Sequence, residues 1–312
     1  MKIGIPRAFL YYKYRYLWET FFHELGCEIV LSPETNRQIV KDGINYAMDE
    51  SCLSSKIYLG HVHYLIDKCD YILVPRIANF GLGEVVCTKF QAAYDVIANT
   101  FRDQNIKILN YNIDHRKKQT EFKAFMKMGK ELNKRKFEII RAYFMAKQAE
   151  KTYFQLELKK QQELLKRDSE LKVLIVSHAY NIYDKFVGEP IVKYLEKLDC
   201  TIIIGEISPK QEAKREAKEM SPTLPWTYNK ELLGAIKLYQ KQVDGIVLMS
   251  SFPCGPDSLV NEMIIRKIKG KPILNLVLDE QEGNVGMETR LESFVDIIKL
   301  KKDVVNEKQK ES

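Results

Sequence analysis

Short apolar runs alternate with longer amphipathic stretches along most of the chain. Ile3 to Pro6 is an apolar run of strand length, and Phe9 to Leu25 places aromatic and aliphatic residues at helical spacing before Gly26. Cys27 to Leu31 resumes the strand pattern. Strand, helix, glycine, strand is the grammar of a parallel α/β unit, whose strands are buried on both faces and so read as continuous apolar runs. Asn36 to Ala47, and the stretch from Cys52 to about Asp67, predict two more helices. Tyr71 to Pro75 predicts a buried strand, Ala92 to Phe101 a helix, and Ile106 to Leu109 another short strand. A first α/β domain over residues 1–112 follows, carrying Cys52 and Cys87.

Residues 113–170 break this rhythm. The stretch is rich in Lys, Glu and Gln, with Phe122, Phe125, Met126, Met128 and Leu132 at helical intervals. It predicts one long helix or a helical hairpin whose apolar stripe serves packing. The strand pattern returns at Lys172 with VLIVS. Helices are expected over 188–198, 230–242, 262–269 and 291–298, and strands over 200–204, 245–249 and 272–276. Residues 171–312 thus predict a second α/β domain, carrying Cys254, with no close sequence repeat of the first. The fold class expected is α/β: two Rossmann-like parallel-sheet domains with a largely helical connecting segment.

Composition narrows the classes. The 312 residues suffice for more than one core, and 45% hydrophobic with 29% charged residues fits a globular protein. The net charge is +7, but Lys and Arg are interspersed with Glu and Asp on helix faces. No Arg-rich arm, zinc-finger spacing or RNA-binding aromatic signature is present, so no nucleic-acid partner is expected. No apolar stretch approaches the roughly 20 residues of a membrane span. No leader pattern opens the chain, so a cytoplasmic location is expected. The polar tail from Lys301 to Ser312 is expected to fray. Six cysteines do not suggest a disulfide scaffold; in a reducing compartment they are buried thiols, metal ligands or catalytic groups.

The cysteines sort by position. Cys27, Cys69 and Cys200 stand at strand entrances, where small core thiols are common. Cys52 lies in the polar segment DESCLSSK, Cys87 in a glycine-containing loop beyond YILVP, and Cys254 in SFPCGP beyond GIVLM. Parallel sheets bind ligands beyond the carboxyl ends of their strands. Gly255 permits close backbone approach, and Pro256 stiffens the turn. Thiolates suit zinc and iron–sulfur clusters alike. There is no CxxC and no compact ferredoxin-like run, so the residues alone leave both six inert thiols and a metal or cluster site open. Arg7 and Arg76 follow strand runs, where each could meet an anionic substrate group or pair with Glu50 or Glu84. His178 shares a loop with Tyr180, Asn181 and Asp184, as an acid–base or as a hydrogen bonder fixing the loop. A cysteine hydrolase built on Cys254 and His178 is a further reading. His61 and His63 lie two apart on a predicted helix and so share no face. Glu288 and Arg290, with Gly283 and Gly286 nearby, read as a helix cap with a salt bridge or as part of a site. Phosphate-loop, dinucleotide and nucleophile-elbow motifs are absent.

A family resemblance runs through these motifs in order. IGIPRAFLYY at Ile3 to Tyr12, VLSPETN at Val30 to Asn36, DESCLSSKIYLGHV at Asp49 to Val62, YILVPRI at Tyr71 to Ile77 and the Cys87 loop carry its first half. The loop at His178 to Asp184, FPCGPDSL at Phe252 to Leu259 and DEQEGNVGMETRLESF at Asp279 to Phe294 carry its second. The chain resembles the activase-related proteins associated with 2-hydroxyacyl-CoA dehydratases, whose fold is similar to the dehydratase subunits. The resemblance implies a [4Fe–4S] cluster on Cys52, Cys87 and Cys254, or a bridged double cluster. It implies low-potential redox or dehydratase-like chemistry on an acyl-CoA-type substrate, reduced to a ketyl radical that then loses its hydroxyl. His178, Arg7, Arg76 and Glu288 are the candidate catalytic side chains. Implied partners are an ATP-hydrolysing iron–sulfur activator protein and a second dehydratase-like subunit. The alternative is a non-catalytic [4Fe–4S] electron carrier or accessory protein, and a third reading is an α/β protein without a cluster.

Overall fold

The computed structural model describes residues 1–167, 171–280 and 284–310. The chain divides into two compact units, one of Met1–Gln155 with Pro225–Thr227, the other of Leu156–Leu224 with Tyr228–Ser312.

In the first unit, β1 (Lys2–Ile5), α1 (Tyr11–Glu24), β2 (Glu28–Leu31), a helix pair α2 (Arg37–Tyr46) and α3 (Leu53–Leu65), and β3 (Tyr71–Asn79) follow in turn. Then come α4 (Thr88–Gln91), α5 (Ala93–Thr100), β4 (Ile108–Asp114), a 3-10 turn His115–Lys117, α6 (Glu121–Glu131) and α7 (Lys136–Lys166). The sheet order is β2–β1–β3–β4, all parallel. The strand β3 runs four residues past its expected end at Pro75. The short β1 pairs with it only at Tyr71 and Ile72. Farther along, that edge of β3 has no β1 partner, so a proline costs no ladder bond there.

The charged insert resolves into two helices broken at Asn133, whose φ of 56° lies in the left-handed region that Asn tolerates better than most residues. Its aromatic stripe is core. Phe125 and Met128 are fully buried, and Phe125 meets Phe21 and Tyr111 edge-on at 4.5 and 5.3 Å.

The second unit contains β5 (Leu171–Val176), α8 (Ala179–Ile182), α9 (Glu189–Lys197), β6 (Cys200–Ile204) and a helix pair α10 (Lys210–Met220) and α11 (Thr227–Tyr239). It ends with β7 (Gly245–Ser251), α12 (Gly255–Lys267), β8 (Ile273–Leu278) and α13 (Asn284–Lys310). Its sheet runs β6–β5–β7–β8, again all parallel. Every residue of β7 is buried, which is why its sequence is an unbroken apolar run before its closing serines. The α/β class with two Rossmann-like parallel sheets is therefore observed.

Two expectations need correction. The final helix is not confined to 291–298: α13 spans Asn284–Lys310. Beyond Gly286 the stretch has no glycine or proline and many helix-favouring Lys, Glu and Leu residues. Likewise α12 begins at Gly255 rather than Glu262, with proline in its first turn, where the missing N–H removes no helical bond.

Both helix pairs cross at glycine. A Cβ on Gly43 would lie 1.9 Å from the Lys56 carbonyl oxygen, and one on Gly60 2.0 Å from that of Ile39. In the second unit, a Cβ on Gly234 would lie 1.7 Å from the Ala213 carbonyl oxygen. Only glycine permits such backbone-to-backbone approach.

Candidate functional site

In each sheet the strand order reverses between the first strand and the third, β1 and β3 or β5 and β7. That is the switch point where an open parallel sheet offers a crevice at its carboxyl end. Arg7 follows β1 and Cys87 follows β3; His178 follows β5 and Cys254 follows β7.

Cys52, Cys87 and Cys254 share a local setting that their sequences do not advertise. Each is the N-cap residue of a helix, α3, α4 and α12 respectively, and none makes a side-chain capping bond to its helix. Each is partly exposed. The backbone carbonyls do the capping: Cys52 O accepts from Ser55 N–H at 2.8 Å, Cys87 O from Phe90 N–H at 3.0 Å and Cys254 O from Ser258 N–H at 3.0 Å. The start of α3 concentrates unsatisfied N–H groups and positive potential, which suits an anionic sulfur, whereas α4 is a single turn and adds little of it. The other three cysteines contrast with this. Burial pushes the Cys200 thiol up to about 11 and raises those of Cys27 and Cys69. A thiol that resists ionisation is a packing group.

Within the first unit, two contacts tie the segments that carry Cys52 and Cys87. Lys89, two residues after Cys87, donates to Oγ of Ser51, the neighbour of Cys52, at 3.1 Å. Phe9 stacks on Tyr58 of α3 at 4.8 Å and meets Phe90 of α4 at 5.0 Å. Arg76 lies inside β3 rather than beyond it, and its Nε donates to the Gln91 carbonyl at 2.9 Å, bracing the end of α4. The loop is pinned further by Pro225–Thr227: Val85 N–H bonds the Pro225 carbonyl, and Thr227 Oγ1 donates to Glu84 at 2.9 Å.

Arg7 pairs with Glu34 at 3.6 Å, not with Glu50 or Glu84, and its backbone N–H donates to Ser32 Oγ at 2.8 Å. Ser32 and Thr35 hold the fully buried His61 from opposite ring nitrogens, at 2.8 and 2.9 Å. Burial, and then the Arg7 charge, push the His61 pKa down to about 3, so this imidazole is neutral. His63 instead sits against Tyr46, with ring centres 4.7 Å apart, as the absence of a shared face requires.

Within the second unit, His178 and Cys254 converge on a residue that the sequence reading did not single out. Asp257 Oδ1 lies 2.9 Å from His178 Nε2 and accepts from Asn229 Nδ2 at 2.7 Å, and the Cys254 thiol also hydrogen-bonds this carboxyl. The His178 and Asp257 side chains are both 7% exposed. Burial raises a carboxyl's pKa, but here His178, Asn229 and Cys254 together hold Asp257 below the ordinary carboxylate range. The signal was present as C-x-x-D, the spacing of a capping box with cysteine at the N-cap. Nearby, Ser251 Oγ donates to Asn181 at 2.8 Å, Asn181 to Ser177 at 3.1 Å, and Ser177 to the Met249 carbonyl at 2.7 Å. This chain of bonds fixes the loop that presents His178. Asp184 accepts from the backbone N–H groups of Phe186 and Val187, a local turn brace.

Glu288 is exposed on α13, and Arg290 donates to the Asn275 carbonyl at 2.8 Å. Gly283 lies outside the described residues. Among the described residues no group of three or more His, Cys, Asp or Glu side chains is placed to hold a single metal ion, and no helix is long and apolar enough to cross a membrane.

Residues 2–207 match the model of the family described as CoA enzyme activase uncharacterised domain (DUF2229), and the chain belongs to that family. Cys52, Cys87 and His178 fall inside the matched span; Cys254 and Asp257 lie beyond it. No curated protein matches the chain.

Proposed function

We propose that this member of the CoA enzyme activase domain family carries a [4Fe–4S] cluster on Cys52, Cys87 and Cys254. It would serve as an electron-accepting component related to 2-hydroxyacyl-CoA dehydratases, with low-potential redox or dehydratase-like activity on an acyl-CoA-type substrate. The observation that supports this reading is the common setting of the three cysteines: each is the partly exposed N-cap of a helix.

The donor set suits the group. Three thiolates favour iron–sulfur chemistry, and helix-start N–H groups can hydrogen-bond to inorganic sulfide. A cubane attaches its thiolates to different irons, so it does not require ligands gathered around one ion. When bound, such a cluster supplies one-electron transfer and an open iron for a substrate oxygen. The chain's own part would be to hold and orient. Arg7 would meet an anionic substrate group, Arg76 would keep the Cys87 turn in place, and His178 would fix Asp257 beside Cys254. The reading makes an ATP-hydrolysing iron–sulfur activator the electron donor and a dehydratase-like subunit a possible companion.

The carrier alternative has its own support. Arg76 braces α4, Arg7 pairs with Glu34, His178 bonds the buried Asp257 and Glu288 is exposed on α13, so each candidate catalytic side chain has a structural partner or faces solvent.

The test is iron and acid-labile sulfide per chain on protein purified without oxygen. About four of each is expected, with iron lost in Cys52→Ala, Cys87→Ala and Cys254→Ala and kept in Cys27→Ala. No iron after anaerobic reconstitution would sink the reading. Turnover of 2-hydroxyacyl-CoAs by the loaded protein with a low-potential donor separates an enzyme from a carrier.

A further inference from the structure

Two ion pairs link the first two strands of the first unit at opposite ends. Lys2 and Glu28, at the amino ends, lie 3.6 Å apart, and both are more than half exposed. Arg7 and Glu34, just beyond the carboxyl ends, are also 3.6 Å apart. Here the acid is 55% exposed and the arginine side chain only 25%. Arg7 Nε is buried and has no hydrogen-bond partner among the described residues. A contact of 3.6 Å is too long to be a hydrogen bond, so Glu34 offsets charge without engaging the guanidinium fork. A buried donor left unsatisfied is costly and rare enough to need a reason.

The surroundings hold Arg7 without neutralising it. Its backbone N–H donates to Oγ of Ser32, which is fully buried and bonded in turn to His61. Burial keeps His61 and Tyr11 in their neutral forms, so neither adds charge. Two residues on, Phe9 stands at φ 48°, a left-handed conformation that bulky side chains seldom adopt. Its stacking on Tyr58 and its edge contact with Phe90 hold it there. Strain of this kind gathers at binding sites, and this segment leaves the sheet at the β1–β3 switch point.

We infer that Arg7 binds an exchangeable carboxylate of a small organic acid, which displaces Glu34 from the guanidinium. The inference rests on the part of the proposed function that gives Arg7 an anionic substrate group, and not on the cluster. A planar carboxylate can accept from Nε–H and one Nη–H in parallel, the bidentate geometry in which such pairs are strongest. One guanidinium among neutral neighbours matches a single negative charge, which favours a carboxylate over a phosphate dianion. Glu34 is exposed, so it can turn into water at small cost. No covalent bond changes; one carboxylate takes the place of another.

The experiment titrates the full chain, carrying isotope-labelled arginine, with sodium acetate at constant ionic strength and follows the arginine Nε–H signals by magnetic resonance. Arg7→Lys identifies the Arg7 signal. Should that variant not fold, the signal that Glu34→Gln moves without acetate identifies it instead. The Arg7 signal should shift saturably, and the other arginine signals should not. Glu34→Gln should tighten acetate about twofold to fivefold, the worth of a partly exposed ion pair. Glu28→Gln removes the same charge from a pair of the same length at the amino ends and should leave the affinity unchanged. No saturable shift, a shift shared by all arginines, or an unchanged affinity in Glu34→Gln overturns the inference. Equal tightening by Glu28→Gln also overturns it, since a general field would then be the cause. Inorganic phosphate binding at Arg7 more tightly than acetate overturns the choice of a carboxylate. Iron per chain reads the cluster separately: acetate binding without iron overturns the cluster alone, and iron without acetate binding overturns this inference alone.

Discussion

The two units solve one topological problem with different chemistry. Each alternates strands with one or two helices, has a helix pair between its second and third strands, and sets four parallel strands in the same order. Each crosses its helix pair at glycine, and each puts a cysteine at the start of the helix after its third strand, Cys87 or Cys254. Beyond that they diverge. After its first strand the first unit has Arg7, paired with Glu34, and the second has His178, paired with the buried Asp257. At the start of the second helix of its pair the first unit has another cysteine, Cys52. The second unit has at that place the turn leading to Asn229, which bonds Asp257. A shared backbone thus supplies equivalent positions at the carboxyl ends of the strands, and the side chains there divide the labour. Two thiols stand in one unit; one thiol, with a buried acid and its braces, stands in the other.

The comparison can be broken most forcefully at the glycine crossings. Gly234→Ala and Gly60→Ala should each destabilise their own unit by about 3 kcal/mol or more, because the added methyl meets backbone oxygen that no rotamer change can move. Gly234→Ala should be the worse, since its Cβ would stand closer to the facing carbonyl. Hydrogen exchange resolved by segment measures this, and equal loss of protection in both units from either substitution would contradict the independence of the two crossings.

Acid sensitivity should also separate the units. The folded-state pKa of His61 is depressed, so the folded protein excludes a proton that the unfolded chain accepts below about 6.5. The stability contributed by neutral His61 is therefore complete above that pH. It is lost as pH falls toward about 3, at up to roughly 1.4 kcal/mol per pH unit. Asp257 has the depressed carboxylate pattern, and its contribution is lost only below the ordinary carboxylate range. Protection of the first unit should fall first between pH 6 and pH 4, in the order of magnitude given by the His61 slope. His61→Gln should be less stable at neutral pH but should show a flatter dependence in that window, as read by chemical denaturation at several pH values.

The smallest effect is expected at the tie between the two cysteine-bearing turns of the first unit. Lys89→Met removes the hydrogen bond to Ser51 at a partly exposed position, so stability should change by less than about 1 kcal/mol. Iron retention on dilution should nevertheless fall, whereas Lys185→Met, which breaks an exposed pair with Glu189, should leave it unchanged.

Legibility in the sequence followed the range of the interaction. Strands such as Cys200–Ile204 were read to the residue because burial on both faces makes an unbroken apolar run. The end of β3 was missed because Arg76 and Asn79 look like loop residues, and only pairing with β4 shows that the ladder continues. Cys87 and Cys254 could be set apart from the strand-entrance cysteines by their places beyond strand ends, and Cys52 by its place at the opening of a helical segment. The N-cap places of Cys87 and Cys254 could not be read, because α4 is one turn long and α12 begins on glycine and proline, which local patterning takes for a bend. His178 stands out by its loop position, whereas Asp257 shows in the sequence only through its spacing from Cys254.

Local patterning was enough for the fold class and for most strands and helices, because period, strand ends and turn residues are properties of neighbours in the chain. The convergence of His178, Asn229 and Cys254 on Asp257, and the neutral state of His61 between two hydroxyls, required the folded chain. Those partners lie tens of residues apart, and burial, which sets how strongly charge and hydrogen bonding act, is a property of the packed molecule rather than of any segment.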